Sequence, residues 1–130
     1  MIEDLVASFY KALAVGDRAT VEGLLSDQFF AEFAKGLPGS IGGRHVGVEA
    51  IDQGWWQIGR LFKVKAVVTE QVKTIDGRLL VLGHYGGTAR ESGRNLDAAF
   101  THLWTAEGDE LTALVQVTDT ALWLAALQGE

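Results

Sequence analysis

Apolar residues recur at helical spacing through the first half of the chain and at alternate positions through most of the second. Ile2, Leu5, Val6, Phe9 and Leu13 fall on one face of a helix, and Glu3 and Asp4 suit the positive end of its dipole. Gly16 ends that helix. Asp17 is placed to cap a second, short helix with Val21, Leu24 and Leu25 as its stripe. Residues 28–35 (QFFAEFAK) fit either a short strand or a helical turn. Residues 36–43 hold the only proline, Pro38, among four glycines and read as a loop. A third helix follows, with Val48, Ile51, Trp55, Ile58 and Phe62 stepping by 3, 4, 3 and 4.

The period then changes. Residues 63–75 read as a strand ending at the hairpin signal Asp76-Gly77, and residues 78–90 return. A loop over 91–94 leads into a strand at 95–107. Gly108-Asp109 turns the chain again into 110–119, and residues 121–127 suit a terminal helix. The shortest loops pair Val68 with Tyr85, Val72 with Val81, Tyr85 with Phe100, Gly83 with His102, His102 with Val115 and Trp104 with Ala113. Alternation then puts Val64, Ala66, Tyr85, Phe100, His102 and Trp104 on one inner face, together with Val68, Val72, Val115 and Val117. Leu80, Leu82, His84, Leu103, Leu114 and Gln116 go to the other face. Helices followed by a strand meander specify an α+β domain, with the helices packed on one face of an antiparallel sheet.

Composition narrows the classes. The chain has 130 residues, enough for one domain with a real core. Apolar residues are 48% and charged residues 22%, which excludes wholesale disorder. The net charge of −6 argues against generic binding to nucleic acid or an anionic membrane. No cysteine is present, so disulfides, thiol nucleophiles and thiolate metal sites are excluded. No apolar run is long enough to span a bilayer. The acidic start Met1-Ile2-Glu3-Asp4 differs from a secretory signal, and a cytoplasmic location is expected.

The layout resembles the nuclear transport factor 2-like superfamily, in its SnoaL-like and ketosteroid isomerase-like branches. The matching pieces are Phe9-Tyr10…Gly16-Asp17, the run from Gly43-Arg44-His45 to Ala50-Ile51, Ser92-Gly93-Arg94, Phe100-Thr101-His102-Leu103-Trp104, and Asp119-Thr120. The resemblance covers nearly the whole chain as a single SnoaL-like domain, 1–130. It implies a cystatin-like cone: a curved antiparallel sheet wrapped by three N-terminal helices around an apolar pocket. It also implies a homodimer formed through the outer sheet face. It does not fix the chemistry, since this fold carries isomerases, dehydratases, cyclases, hydrolases and non-catalytic binders.

His102 is the foremost candidate for chemistry. Among Phe100 and Trp104 on the inner face, an imidazole loses hydration, which favours its neutral form. The resemblance puts a cyclase histidine, or the isomerase aspartic acid that donates to an enolate oxygen, at this place. Counted from Asp27 along the family pattern, Glu32 resembles the isomerase general base. Two departures stand against these parallels. The isomerase tyrosine aligns with Phe9, and the adjacent Tyr10 is turned about 100° away on the helix. The acid that lies beyond the cyclase histidine is here Gln116, which cannot act as a base. Asp119 falls inward at the last strand's end, to hold His102 or Arg44 or to cap the terminal helix. Tyr85, Phe100, Trp56 and Trp104 are expected to wall the pocket. The histidines at 45, 84 and 102 lack metal-ligand spacing, and no phosphate-binding glycine motif is present, so neither a metal nor an organic cofactor is expected.

The functional expectation is a pocket for a small hydrophobic cyclic or carbonyl compound. One form is a cofactor-free isomerase, cyclase or hydrolase, with Glu32 as base and His102 as donor. The alternative is a non-catalytic binding or accessory dimer of the same fold.

Overall fold

A computed structural model describes residues 1–128 as helices laid on one face of a six-stranded sheet. The N-terminal apolar stripe becomes α1 (Ile2–Ala14), which buries Ile2, Val6, Phe9 and Ala12. Asp17 caps α2 (Arg18–Leu24) by accepting from the Thr20 backbone N–H. The ambiguous segment is a strand, β1 (Leu25–Phe33), and β2 (Gly43–Val46) pairs with it. The third helix is compound: a π-helical segment (Ala50–Trp55) runs into α3 (Trp56–Leu61). Gly54 lies against the Phe33 ring, where an added Cβ would stand 2.5 Å from a ring carbon. A wider turn at that contact keeps the helix on the sheet.

Four long strands follow: β3 (Phe62–Lys73), β4 (Leu79–Ala89), β5 (Asn95–Glu107) and β6 (Glu110–Thr118). The sheet order is β2-β1-β6-β5-β4-β3. The expected antiparallel meander is present, but the sheet is mixed, because β1 docks parallel on the free edge of β6. The terminal helix α4 (Thr120–Gln128) buries Trp123 against Phe62 and Tyr85. Among the described residues, no helix is long and apolar enough to cross a membrane.

The register differs from the shortest-loop expectation at each hairpin. Between β3 and β4 the reversal occupies Thr74 to Arg78, closed by hydrogen bonds from Thr74 N to Arg78 O and from Gly77 N to Thr74 O. Val72 therefore pairs with Leu80 rather than Val81. A bulge between Val68 and Glu70 adds a second slip, so Val68 pairs with Gly83 rather than Tyr85. Val68 and Val72, expected inside, are exposed. Between β4 and β5 the slip is two residues: Gly83 faces Phe100 and Val81 faces His102. An even slip preserves parity, so Tyr85, Phe100, His102 and Trp104 stay inside.

The β5–β6 pair carries the slip that matters most. A bulge beyond Thr105 shifts β6 by one residue, so His102 pairs with Gln116, not Val115, and Trp104 with Leu114, not Ala113. A one-residue slip turns a strand over. Leu114 and Gln116, expected outside, are buried, while Val115 and Val117, expected inside, are exposed. Val67, Val115 and Val117 thereby give the outer sheet face its apolar content.

Glycines let the sheet bend. A Cβ at Gly83 would stand 2.1 Å from the Val67 carbonyl oxygen, and one at Gly87 would stand 2.0 Å from that of Lys63. Only glycine permits β3 to approach β4 this closely.

Candidate functional site: a buried histidine network beside an apolar cleft

His102 is only 3% exposed and holds a phenol at each ring nitrogen. Tyr10 Oη lies 2.5 Å from Nδ1, and Tyr85 Oη lies 2.6 Å from Nε2. The chain of contacts continues in both directions. Trp104 Nε1 donates to Tyr10 Oη at 3.1 Å, and Gln116 Nε2 donates to Tyr85 Oη at 2.7 Å. The amide ends the chain, its Oε1 accepting from the Ala34 backbone N–H at 3.2 Å. Phe100 stacks on the imidazole with ring centroids 3.9 Å apart. The network thus joins α1, β4, β5, β6 and the end of β1.

Burial holds every member neutral. Desolvation pushes the His102 pKa down to about 3, well below an ordinary imidazole. Desolvation raises the Tyr10 and Tyr85 hydroxyls far above the usual phenol range, opposed in part by hydrogen bonds from Trp104 and Gln116. A neutral imidazole has one N–H and one acceptor nitrogen. It therefore accepts a hydrogen bond from one tyrosine and donates one to the other. Each tyrosine already accepts from Trp104 or Gln116, so one phenolic proton in the network is left unspent. With the Nε2–H tautomer that proton belongs to Tyr85; with Nδ1–H it belongs to Tyr10.

Between the C-terminal turn of α1, α3 and strands β3 and β4 lies an open cleft of about 790 Å³. Trp55, Trp56, Ile58 and Ala66 give it apolar walls. The π-to-α junction delivers both tryptophans to the same opening. Tyr85 lines the cleft as well, and is the network residue shared with its lining. The volume falls in the range of small-molecule sites.

The sequence candidates are distributed unevenly. Tyr85 and Trp56 line the cleft; Phe100, His102 and Trp104 form the packed layer next to it. Glu32 is elsewhere. It faces Arg44 across the β1–β2 pair, with Oε1 3.2 Å from Arg44 Nη1 and its side chain 48% exposed. The arginine also lies over the Phe30 ring, 3.8 Å from its centroid. Strand alternation sends Glu32 away from the core, so it does not sit at a pocket lip. Asp119 is also displaced from its expected inward position: it is exposed, and its carbonyl accepts from Leu122 N at the start of α4.

Tyr10 and Gln116 were not among the sequence candidates. Tyr10 lies four residues beyond Val6 and eight beyond Ile2, on the flank of the buried stripe, and its long side chain reaches His102. That spacing was the available signal. For Gln116 the signal was the pair Ala113-Leu114, two adjacent buried residues that break strand alternation. Among the described residues, no three His, Asp or Glu side chains converge as metal ligands.

No protein-family model matches the chain, and no curated protein matches it in sequence. Solved structures match its fold closely. An NTF2-like protein from Burkholderia thailandensis superposes with a TM-score of 0.84 at 21% identity, covering 96% of this chain and 95% of that one. TerC, co-crystallized with polyporic acid, gives 0.84 at 16% identity over 96% of both chains. A protein with a ketosteroid isomerase-like fold from Catenulispora acidiphila, in complex with trimethylamine, gives 0.78 at 16% identity over 95% of this chain and 92% of that one.

Proposed function

We propose, from the premise that this chain has the NTF2-like fold shared with ketosteroid isomerase-like proteins, that it binds a small hydrophobic ring compound in the cleft beside Tyr85. The observation that carries this reading is the position of Tyr85, which both lines the cleft and hydrogen-bonds His102. Aromatic walls supply apolar contact area, and the phenol supplies one oriented polar contact to a carbonyl, ether or epoxide oxygen. The neutral network beneath fixes the phenol by packing and hydrogen bonds. The protein acts as a homodimer, with the apolar outer face of β3 to β6 as the contact.

A second reading, cofactor-free acid–base catalysis, is favoured by one feature. The His102 tautomer decides whether Tyr10 or Tyr85 has the free O–H, so the network can present Tyr85 to the cleft as a donor. A proton passed from Tyr85 to a substrate must be matched by one returned from the substrate to the same hydroxyl, since no member of the network can stay charged. In this reading His102 is a positioning residue, and Tyr85 meets the substrate. Glu32 has no part in it.

Titration of a panel of enones, epoxides and phenols, followed by tryptophan fluorescence, tests the binding reading. Saturable quenching that is reduced in Trp56→Phe, where Trp55 remains in the cleft, and kept in Trp104→Phe is expected. No response from any compound, with a folded protein, overturns it. With a ligand in hand, His102→Gln separates the two readings: turnover is lost with affinity kept if the network is catalytic.

A further inference from the structure

The cleft has a charge opposite to that of the protein around it. Arg60 and Arg90 line it and no Asp or Glu does, while Lys63 and Lys65 alternate with the inward Val64 and Ala66 and carry their charges on the other face of β3. The chain as a whole carries −6, so the remainder is more acidic still. Neither arginine has an ion-pair partner among the described residues. Arg18, Arg44 and Arg78 each pair with a carboxylate. The cleft cations are therefore not spent on the protein's own acids.

Arg90 is held in place rather than free to swing. Its backbone N donates to Leu61 O, and its Nε donates to Gly59 O at 2.8 Å. Both acceptors belong to the C-terminal turn of α3, one wall of the cleft. This fixes the guanidinium against the last turn of α3, where Arg60 follows Gly59, while its Nη groups have no hydrogen-bond partner among the described residues. An anchored guanidinium with free Nη donors matches the two oxygens of a carboxylate. Clustered charge of one sign over apolar walls also focuses the field into the cleft.

We infer that the ligand is an amphipathic anion: a hydrophobic ring system carrying a carboxylate, whose head meets the Arg60–Arg90 end while the ring packs against Trp55 and Trp56. This rests on the cleft-binding reading and adds the ligand's charge and direction. The acidic remainder of the surface repels the same anion, so the cleft is where it accumulates.

The test uses two probes of nearly equal shape, naphthalene-2-carboxylate and naphthalene-2-carboxamide, titrated by calorimetry. The carboxylate is expected to bind about tenfold more tightly at low salt, with the gap narrowing as salt screens the cations. The combined substitution Arg60→Gln and Arg90→Gln is expected to abolish the gap while leaving carboxamide affinity unchanged. Arg78→Gln, on the distant hairpin, should leave the gap intact. Equal affinity for the two probes, or a preference that survives the double substitution, overturns the inference while leaving the cleft reading standing. Failure of both probes to bind a folded protein overturns both. Arg90→Lys keeps the charge but loses the Nε anchor and the fork, so it is expected to keep only part of the preference; a full preference in Arg90→Lys overturns recognition by the anchored guanidinium.

Discussion

Tyr85 Oη stands 2.6 Å from His102 Nε2, so the residue that faces the cleft is also the one that holds the buried imidazole. That relationship makes the cleft and the core a single polar system. Several measurable properties depend on it.

Removing either phenol strands two partners. Tyr85→Phe leaves Gln116 Nε2 and one His102 nitrogen without a hydrogen bond, and Tyr10→Phe does the same to Trp104 Nε1 and the other nitrogen. Each substitution is expected to cost about 1–3 kcal/mol in urea denaturation, since a buried polar group left unpaired loses its solvation. The double variant should cost less than the sum, because both hydroxyls act through one ring. Strict additivity would mean that the network does not act as a unit.

Stability should fall as the solution is acidified, before the carboxylates dominate. The folded His102 pKa lies near 3, against an ordinary value of 6.5. Between those values the unfolded chain binds a proton there and the folded chain does not. Stability from this group is therefore complete above pH 6.5 and declines as pH falls toward 3, with a slope approaching about 1.4 kcal/mol per pH unit. Comparing wild type with His102→Gln at pH 7.5 and pH 5 isolates this group. The wild type should lose more stability than the variant over that interval; equal losses would show that His102 titrates normally.

Gln116→Glu should lock the tautomer. A carboxylate accepting from Tyr85 consumes that hydroxyl's proton, so Tyr85 must accept from His102 Nε2–H while Tyr10 donates to Nδ1. Nitrogen NMR should then report the Nε2–H form alone, and the nearby negative charge should raise the imidazole pKa. An unchanged tautomer mixture would contradict the proton count.

The outer face supplies a fourth prediction. Val117 is 59% exposed among other apolar residues of that face. Val117→Asp is expected to convert a dimer to a folded monomer in sedimentation experiments, because burying an unpaired carboxylate is costly. A wild-type protein that is already monomeric would refute the dimer.

Much of this architecture is legible in the chain. Helical spacing locates α1, α2 and the third helix, and alternation locates the four long strands, because these periods follow from local backbone geometry. The same alternation places His102, Tyr85, Phe100 and Trp104 inside, since the β4–β5 slip is even.

Tertiary structure decided the rest. Thr69 gives no local sign that the ladder bulges beside it, and at Thr112 the sign is limited to the adjacent apolar pair Ala113-Leu114; the bulge there brings Gln116 to the core rather than to the surface. Once residues 28–33 are a strand, alternation with the buried Phe29, Ala31 and Phe33 sets Glu32 outward, but no pattern within residues 28–35 encodes the parallel docking of β1 on β6. The gathering of Arg60 and Arg90 at one cleft joins α3 to the end of β4. Residues of one element are placed by its period, whereas a site made from several elements depends on register, and one inserted residue changes register without changing the period.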